Sequence, residues 1–277
     1  MTLASIAFPP LDPVAFRLGP VAVHWYGLAY LGAFVGAALI ARWLIRRWDI
    51  AINDDDLLSI LLAAIIGVVL GGRLGYVTFY GDGHYLRNPA EILAVWDGGM
   101  SFHGGLAGIM IAGLVVSRTM RIPMLTLWDL GAVGAPVGFL LGRLANFVNG
   151  ELWGRVTDAP WGVIFPGAGL LPRHPSQLYE ATLEGAVLLT VMVVLARRTP
   201  PRPRGELVGW VLVLYGCFRV FVEWFREPDV QLGFIAGDWL TMGMLLSAPM
   251  VLAGGWLVWR ARVKGLVQQG RRTSADA

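Results

Sequence analysis

The chain has 277 residues, 56% of them hydrophobic and only 15% charged, with a net charge of +3, and its mean hydropathy is +0.61. That balance excludes an ordinary soluble domain and reads as a polytopic, all-α membrane protein. A single cysteine, Cys217, excludes an intrachain disulfide and leaves no Cys-based metal site; inside an apolar run it reads as a small buried apolar residue.

Residues 1–20 carry Asp12 and four prolines, with no basic start and no long apolar stretch, so no cleavable signal is expected there. Windows of about 20 apolar residues then predict about seven membrane-spanning helices. They fall near 22–43, 57–80, 101–118, 125–145, 177–196, 206–225 and 237–259. The whole chain, 1–277, reads as one integral membrane domain. Glycines at fourfold spacing, Gly67, Gly71 and Gly75 on the second span and Gly134, Gly138 and Gly142 on the fourth, read as devices for close helix packing.

The first span opens on "VHWYGLAY" (23–30), whose Tyr26 is at this level an ordinary interface aromatic. The second carries Arg73 in its outer part, a candidate phosphate contact. "NPAEILAVWDGG" (88–99) predicts a short helix over 88–97 lying on the membrane surface, with Asn88 as N-cap, Pro89 first and a glycine stop. "GGMSFHGG" (98–105) places His103, a group that titrates near neutral pH, between glycines at the start of the third span.

The fourth span ends in "GRLANFVNGELWGR" (142–155), a dense run of polar groups for such a location. Arg143 and Asn146 share a helix face, and Asn149, Glu151 and Arg155 follow among glycines. Arginine offers a five-donor fork suited to phosphate oxygens. Asp129, at the other end of this span, reads as structural. Residues 147–175 form a Gly/Pro/Trp-rich loop, a small external cap in which Trp153, Trp161 and Phe165 suit an interface. "RHPSQLYE" (173–180) starts the fifth helix. On the sixth, Tyr215, Arg219 and Glu223 recur at i, i+4 and i+8 on one face. No His/Asp/Glu grouping has metal-ligand spacing.

The basic residues orient the chain. Arg42, Arg46 and Arg47; Arg118 and Arg121; Arg197, Arg198, Arg202 and Arg204; and Arg260, Arg262, Lys264, Arg271 and Arg272 make up 14 of the 22 Lys+Arg, all on one side of a seven-span chain. The positive-inside rule makes that side cytoplasmic, with the N-terminus outside and the C-terminus in the cytoplasm. The other eight, Arg17, Arg73, Arg87, Arg143, Arg155, Arg173, Arg219 and Arg226, map to the outer side, where topology does not explain them. Together with Asn, Tyr, Glu and one His they predict an outward-facing cavity for an anionic, lipid-embedded substrate; a transported soluble anion is the competing idea.

These strings also resemble a known family. "GRLANFVNGELWGRVTD" (142–158) is similar to the signature of bacterial phosphatidylglycerol–prolipoprotein diacylglyceryl transferases. "HWYGLAY", "GGRLGYV" (71–77), "GGMSFHGG", "RHPSQLYE", "FREPD" and "GDWLTMGMLLS" (237–247) extend the likeness over nearly the whole chain. The resemblance implies a seven-span inner-membrane enzyme with a site towards the periplasm. It would transfer the diacylglyceryl group of phosphatidylglycerol to the lipobox cysteine thiol of a prolipoprotein, forming a thioether and releasing glycerol phosphate. It implies functional roles for Tyr26, His103, Arg143, Asn146, Glu151, Gly154, Tyr215, Arg219 and Glu223. On this reading Arg143 and Arg219 hold the phosphate and His103 takes the thiol proton, while Tyr26, Asn146 and Glu151 hold the headgroup; an arginine stabilising thiolate beside a structural His103 is the alternative. No cofactor or metal is required, because the lipid is already an activated donor. The expected partners are phosphatidylglycerol, prolipoprotein signal peptides and membrane lipid, with no nucleic acid and a monomeric chain. A transporter would favour pseudo-symmetric halves, and no such repeat is evident.

Overall fold

The computed structural model describes residues 6–228, 233–237 and 239–270. Asp229 and Asp238, in two of the quoted motifs, and Arg271 and Arg272 lie outside the described residues. The fold is mostly helical, and the chain divides into two compact units, Met1–Leu44 with Asp129–Val267, and Ile45–Trp128 with Gln268–Ala277.

The first unit opens with strand β1 (Ile6–Ala7) and a hairpin of β2 (Val14–Leu18) and β3 (Val21–His24). The hairpin is antiparallel, and Gly19 turns it at a φ of 59°. Its β-branched and aromatic side chains suit extended backbone, so helix α1 (Trp25–Trp48) starts three residues later than the apolar pattern predicts. Helix α5 (Met124–Val148) packs on α1 through small residues: an added Cβ at Gly134 would meet Ala37, and one at Gly36 would meet Val137. Strand β4 (Val163–Ile164), in the loop after α5, pairs in parallel with β1.

A composite helix follows: α6 (Ser176–Glu180), a π-helical turn (Ala181–Val187) and α7 (Leu188–Ala196). Gly185 in the wide turn lies against the Leu140 backbone of α5. Helices α8 (Glu206–Glu223) and α9 (Met242–Lys264) pack closely through Gly209 and Gly254. Asp129 is fully buried and accepts hydrogen bonds from Gly205 N (2.7 Å) and Val208 N (2.9 Å), so it caps α8, the structural role its position predicted. Near the same end of α8, Glu206 holds Arg202 (2.7 Å) and Arg262 (3.0 Å).

The second unit is built on α2 (Asp54–Tyr80) and α4 (Phe102–Thr119), with α3 (His84–Arg87) and two 3-10 turns between them. A capping box starts α2: Asn53 Oδ1 accepts from Asp56 N (2.7 Å), and Asp56 Oδ2 accepts from Asn53 N. Gly67, Gly71 and Gly75 of α2 bring its backbone against Gly104 and Gly108 of α4, as their spacing predicted.

The burial pattern is inverted relative to a soluble domain. Leu31, Leu39, Ile111 and Leu252 are more than 60% exposed, while Gln177, Glu180, Asp129 and Thr126 are fully buried. Among the described residues six helices are long and apolar enough to cross a membrane: α1, α2, α4, α5, Ser176–Ala196 and α9. Helix α8 is 18 residues long and carries Glu206, Arg219 and Glu223. Cys217, expected to be buried, is exposed on α8, because a helix can turn one apolar face outwards while burying another.

Candidate active site

Arg143 lies in the last turns of α5, and Arg219 and Glu223 lie near the end of α8. Between them runs the composite helix, and its Glu180 gathers the arginines. Arg143 Nη2 is 2.6 Å from Glu180 Oε2, and Arg219 Nη1 is 3.2 Å from the same oxygen. Arg226 Nη1 is 3.3 Å from Oε1. The Glu180 carboxylate is fully buried; three charged donors offset the cost of keeping it there.

Arg219 also pairs with Glu223 one turn later, and Glu223 Oε2 accepts from Thr241 Oγ1 at 2.7 Å. Thr241 in turn caps α9 through Met244 N. This bond explains why α9 starts at Met242 rather than near 237: Ala236 and Leu240 bridge across a turn first, and Thr241 then caps the helix. Glu184, one turn after Glu180, is 1% exposed; its Oε1 is 3.9 Å from Arg219 Nη1, and neither of its oxygens has a hydrogen-bond partner. A small pocket beside this cluster is lined by Arg219, Glu223, Arg226, Thr241 and Gly243 among others.

Arg143 uses its fork sparingly. Only its Nη2 has a partner among the described residues, and its side chain keeps 21% exposure. It therefore presents unused donors beside a second arginine, an arrangement suited to a bidentate oxyanion. Tyr215, one turn before Arg219, sets its ring 5.0 Å from Phe139 of α5.

The polar string after Arg143 forms a knot. Asn146 Nδ2 donates to Glu151 Oε1 (2.8 Å), and Asn149 Nδ2 donates to the same oxygen (3.3 Å). Glu151 N donates to Asn146 O, and Gln177 Nε2 donates to Glu151 O (2.5 Å), which ties the helix exit to α6. Gly154 is the point of closest approach: its N–H donates to His174 O, and a Cβ there would strike Phe225 O and His174. Arg155 donates to the Arg226 and Glu223 carbonyls, capping the end of α8.

The cap beyond is packed on aromatic rings. Phe165, expected at an interface, is 1% exposed between Phe8 and Phe147, whereas Trp161 is exposed. Trp161 Nε1 donates to Tyr179 Oη (2.7 Å), and that hydroxyl shares a hydrogen bond with His174 Nδ1 at 3.1 Å. Burial lowers the His174 pKa from its usual value, since the charged ring is the form disfavoured away from water.

Three further predicted residues have surroundings of their own. Tyr26, at the start of α1, is 38% exposed and packs on Tyr30. His103 belongs to the second unit, exposed in the first turn of α4, with its ring 5.6 Å from Phe102. Arg73, also of the second unit, is buried, and its fork donates to four main-chain carbonyls: Glu91 (2.6 Å), Ile92 (2.9 Å), Gly98 (2.6 Å) and Gly99 (3.3 Å). Those bonds explain a departure in the arm. The helix expected over 88–97 is two 3-10 turns, Pro89–Leu93 and Val95–Asp97, with carbonyls turned to the guanidinium.

Sequence reading singled out the arginines but missed Glu180 and Glu184. The signal was present: Gln177, Glu180 and Glu184 are polar residues at helical spacing inside an apolar span, and such residues face a partner.

The family model for prolipoprotein diacylglyceryl transferase matches residues 13–260. A phosphatidylglycerol–prolipoprotein diacylglyceryl transferase of Geobacter sulfurreducens is 53% identical over 247 residues, covering 89% of this chain and 94% of the relative. Proteins of the same name from Brucella anthropi and Rhizobium meliloti are each 50% identical, over 93% and 94% of this chain and 94% and 95% of their own lengths.

Proposed function

The chain belongs to the prolipoprotein diacylglyceryl transferase family, and from that premise we infer that it moves the diacylglyceryl group of phosphatidylglycerol to the lipobox cysteine of prolipoproteins. It is a multi-pass membrane protein. Helix α8 serves as a seventh span, its three charged residues compensated by neighbours rather than facing lipid. The N-terminus then lies outside, the C-terminus lies in the cytoplasm, and the site opens towards the periplasm of the inner membrane, with a monomer sufficient for activity.

One observation carries the mechanism: Arg143 and Arg219 converge on one carboxylate oxygen while Arg143 keeps donors in reserve. The lipid phosphate enters beside Glu180 and takes up those donors. The thiolate of the incoming cysteine attacks the saturated carbon next to the phosphate oxygen. As the C–O bond breaks, its electron pair stays on the phosphate, and charge grows where the two guanidinium groups already point. His103 receives the thiol proton, since a free thiol is mostly un-ionised near neutral pH. Glu223 and Tyr215 hold Arg219 in place, while Asn146 and Glu151 shape the helix exit and Gly154 lets it close on the loop after α8. Tyr26 contacts the headgroup from α1. Arg73, with its fork spent on the arm, contributes by positioning residues 89–99.

Reconstitution with phosphatidylglycerol and a lipobox peptide tests the reading. The peptide gains the diacylglyceryl mass and glycerol phosphate appears in equal amount. No gain with folded protein refutes it.

A further inference from the structure

Among the described residues the site holds three arginines, Arg143, Arg219 and Arg226, and three glutamates, Glu180, Glu184 and Glu223. Fully ionised, this set has no surplus positive charge. A phosphodiester that settles on Arg143 and Arg219 adds one negative charge to a site largely screened from water, where an uncompensated charge is costly. A proton taken up by one of the carboxylates restores the balance.

Geometry identifies which carboxylate. Glu180 accepts from three arginines, and Glu223 accepts from Arg219 and Thr241. A proton on either would sacrifice charge-assisted bonds. Glu184 has none to sacrifice: it is 1% exposed, both oxygens are without a hydrogen-bond partner, and its cation contact is 3.9 Å away. Among the described residues, the charged and titratable groups around it are Glu180 on its own helix, Arg143 of α5, Tyr215 and Arg219 of α8, and Arg226 beyond. When the phosphate draws Arg143 and Arg219 to itself, Glu184 loses its nearest cation as well.

We propose that binding of the phosphate headgroup is coupled to uptake of one solvent proton by Glu184, which gives it back when the phosphate departs. The proposal rests on the reading that phosphatidylglycerol binds at Arg143 and Arg219. The bookkeeping balances: a carboxylate becomes a carboxylic acid as one lipid anion enters, and the net charge of the site is unchanged.

Calorimetric titration of the detergent-solubilised protein with short-chain phosphatidylglycerol, in two buffers of different ionisation enthalpy, measures the coupling. Uptake approaches about one proton per lipid, and affinity weakens by up to about tenfold per pH unit on raising the pH through the coupled range. In Glu184→Gln the uptake vanishes and affinity becomes insensitive to pH. Buffer-independent heat in the native protein, or native uptake in Glu184→Gln, overturns the proposal. Should that variant not fold, infrared difference spectra of the native protein report the acid directly. A C=O band that appears with lipid and shifts in D2O, as a carboxylic acid's does and a lipid ester's does not, supports the proposal, and its absence overturns it. Uptake with a soluble phosphodiester, glycerophosphoglycerol, as well as lipid supports a site that reads the phosphate alone; uptake with lipid only supports a site that reads the anchored headgroup. Absence of any lipid binding by native protein refutes the functional reading instead.

Discussion

Arg143 Nη2 and Glu180 Oε2 lie 2.6 Å apart, and that oxygen is also the acceptor for Arg219. One buried carboxylate thus sets the spacing of two guanidinium groups on different helices. Glu180→Gln keeps the shape and removes the charge. Leaving buried cations without their partner costs roughly 3–5 kcal/mol, so thermal unfolding in detergent moves to clearly lower temperature. An unchanged midpoint would mean that the arginines are held by other means.

Arg143→Lys keeps the charge and loses the fork. If the unused donors of Arg143 grip the phosphate as charge develops, kcat/KM falls by about 100-fold or more, with the fold intact by circular dichroism. Transfer to a lipobox peptide measures it, and near-native turnover would argue against bidentate contact.

Two glycines of the signature string make opposite predictions. A Cβ at Gly154 would strike the Phe225 carbonyl and His174, whereas a Cβ at Gly142 has nothing within 4 Å. Gly154→Ala therefore forces α5, the cap and the end of α8 apart and abolishes transfer. Gly142→Ala leaves transfer within about twofold of native and stability within about 0.5 kcal/mol. Parallel assays of the two variants decide the point.

Arg73 ties the arm down by carbonyl bonds. Arg73→Met removes them, and because each charge-assisted bond contributes about 1.5–3 kcal/mol, amide exchange across residues 89–99 accelerates by roughly tenfold or more. Hydrogen exchange with mass spectrometry reads this directly. Unchanged protection would show that the arm is fixed by other contacts.

His174 gives a pH dependence with a definite sign. Its folded pKa lies below the usual 6.5 because the ring is partly buried. In the window between the two values the unfolded chain binds the proton and the folded one does not, so stability falls as pH drops through that window and is fully kept above it. His174→Gln can still share a hydrogen bond with Tyr179 but cannot titrate. Unfolding midpoints of native and variant proteins converge on acidification, and parallel curves would remove His174 from the account.

Much of this architecture was legible because its signals are local. Apolar run length located the helices, fourfold glycine spacing located the α2–α4 contact, and Asp129 was read as structural and caps α8. What was not legible depends on partners far along the chain. Glu180 meets Arg219 across 39 residues and Arg226 across 46, and no local pattern in "SQLYEATLEG" names those partners. The arm failed for the same reason, since Arg73 competes for its carbonyls from 18 to 26 residues away. The start of α9 shifted because Thr241 is claimed by Glu223, again a contact between elements. In the signature string, the residue types flagged an unusual helix end. The labour within it is divided: Asn146 and Asn149 bond Glu151, Gly154 permits a close crossing, and Arg143 meets Glu180 while keeping donors in reserve.

The measurement that bears most directly on the account is a structure with phosphatidylglycerol bound. The phosphate is expected within hydrogen-bond distance of Arg143 and Arg219, beside Glu180. A phosphate bound away from both arginines, with the Arg143–Glu180–Arg219 contacts unchanged, would contradict it.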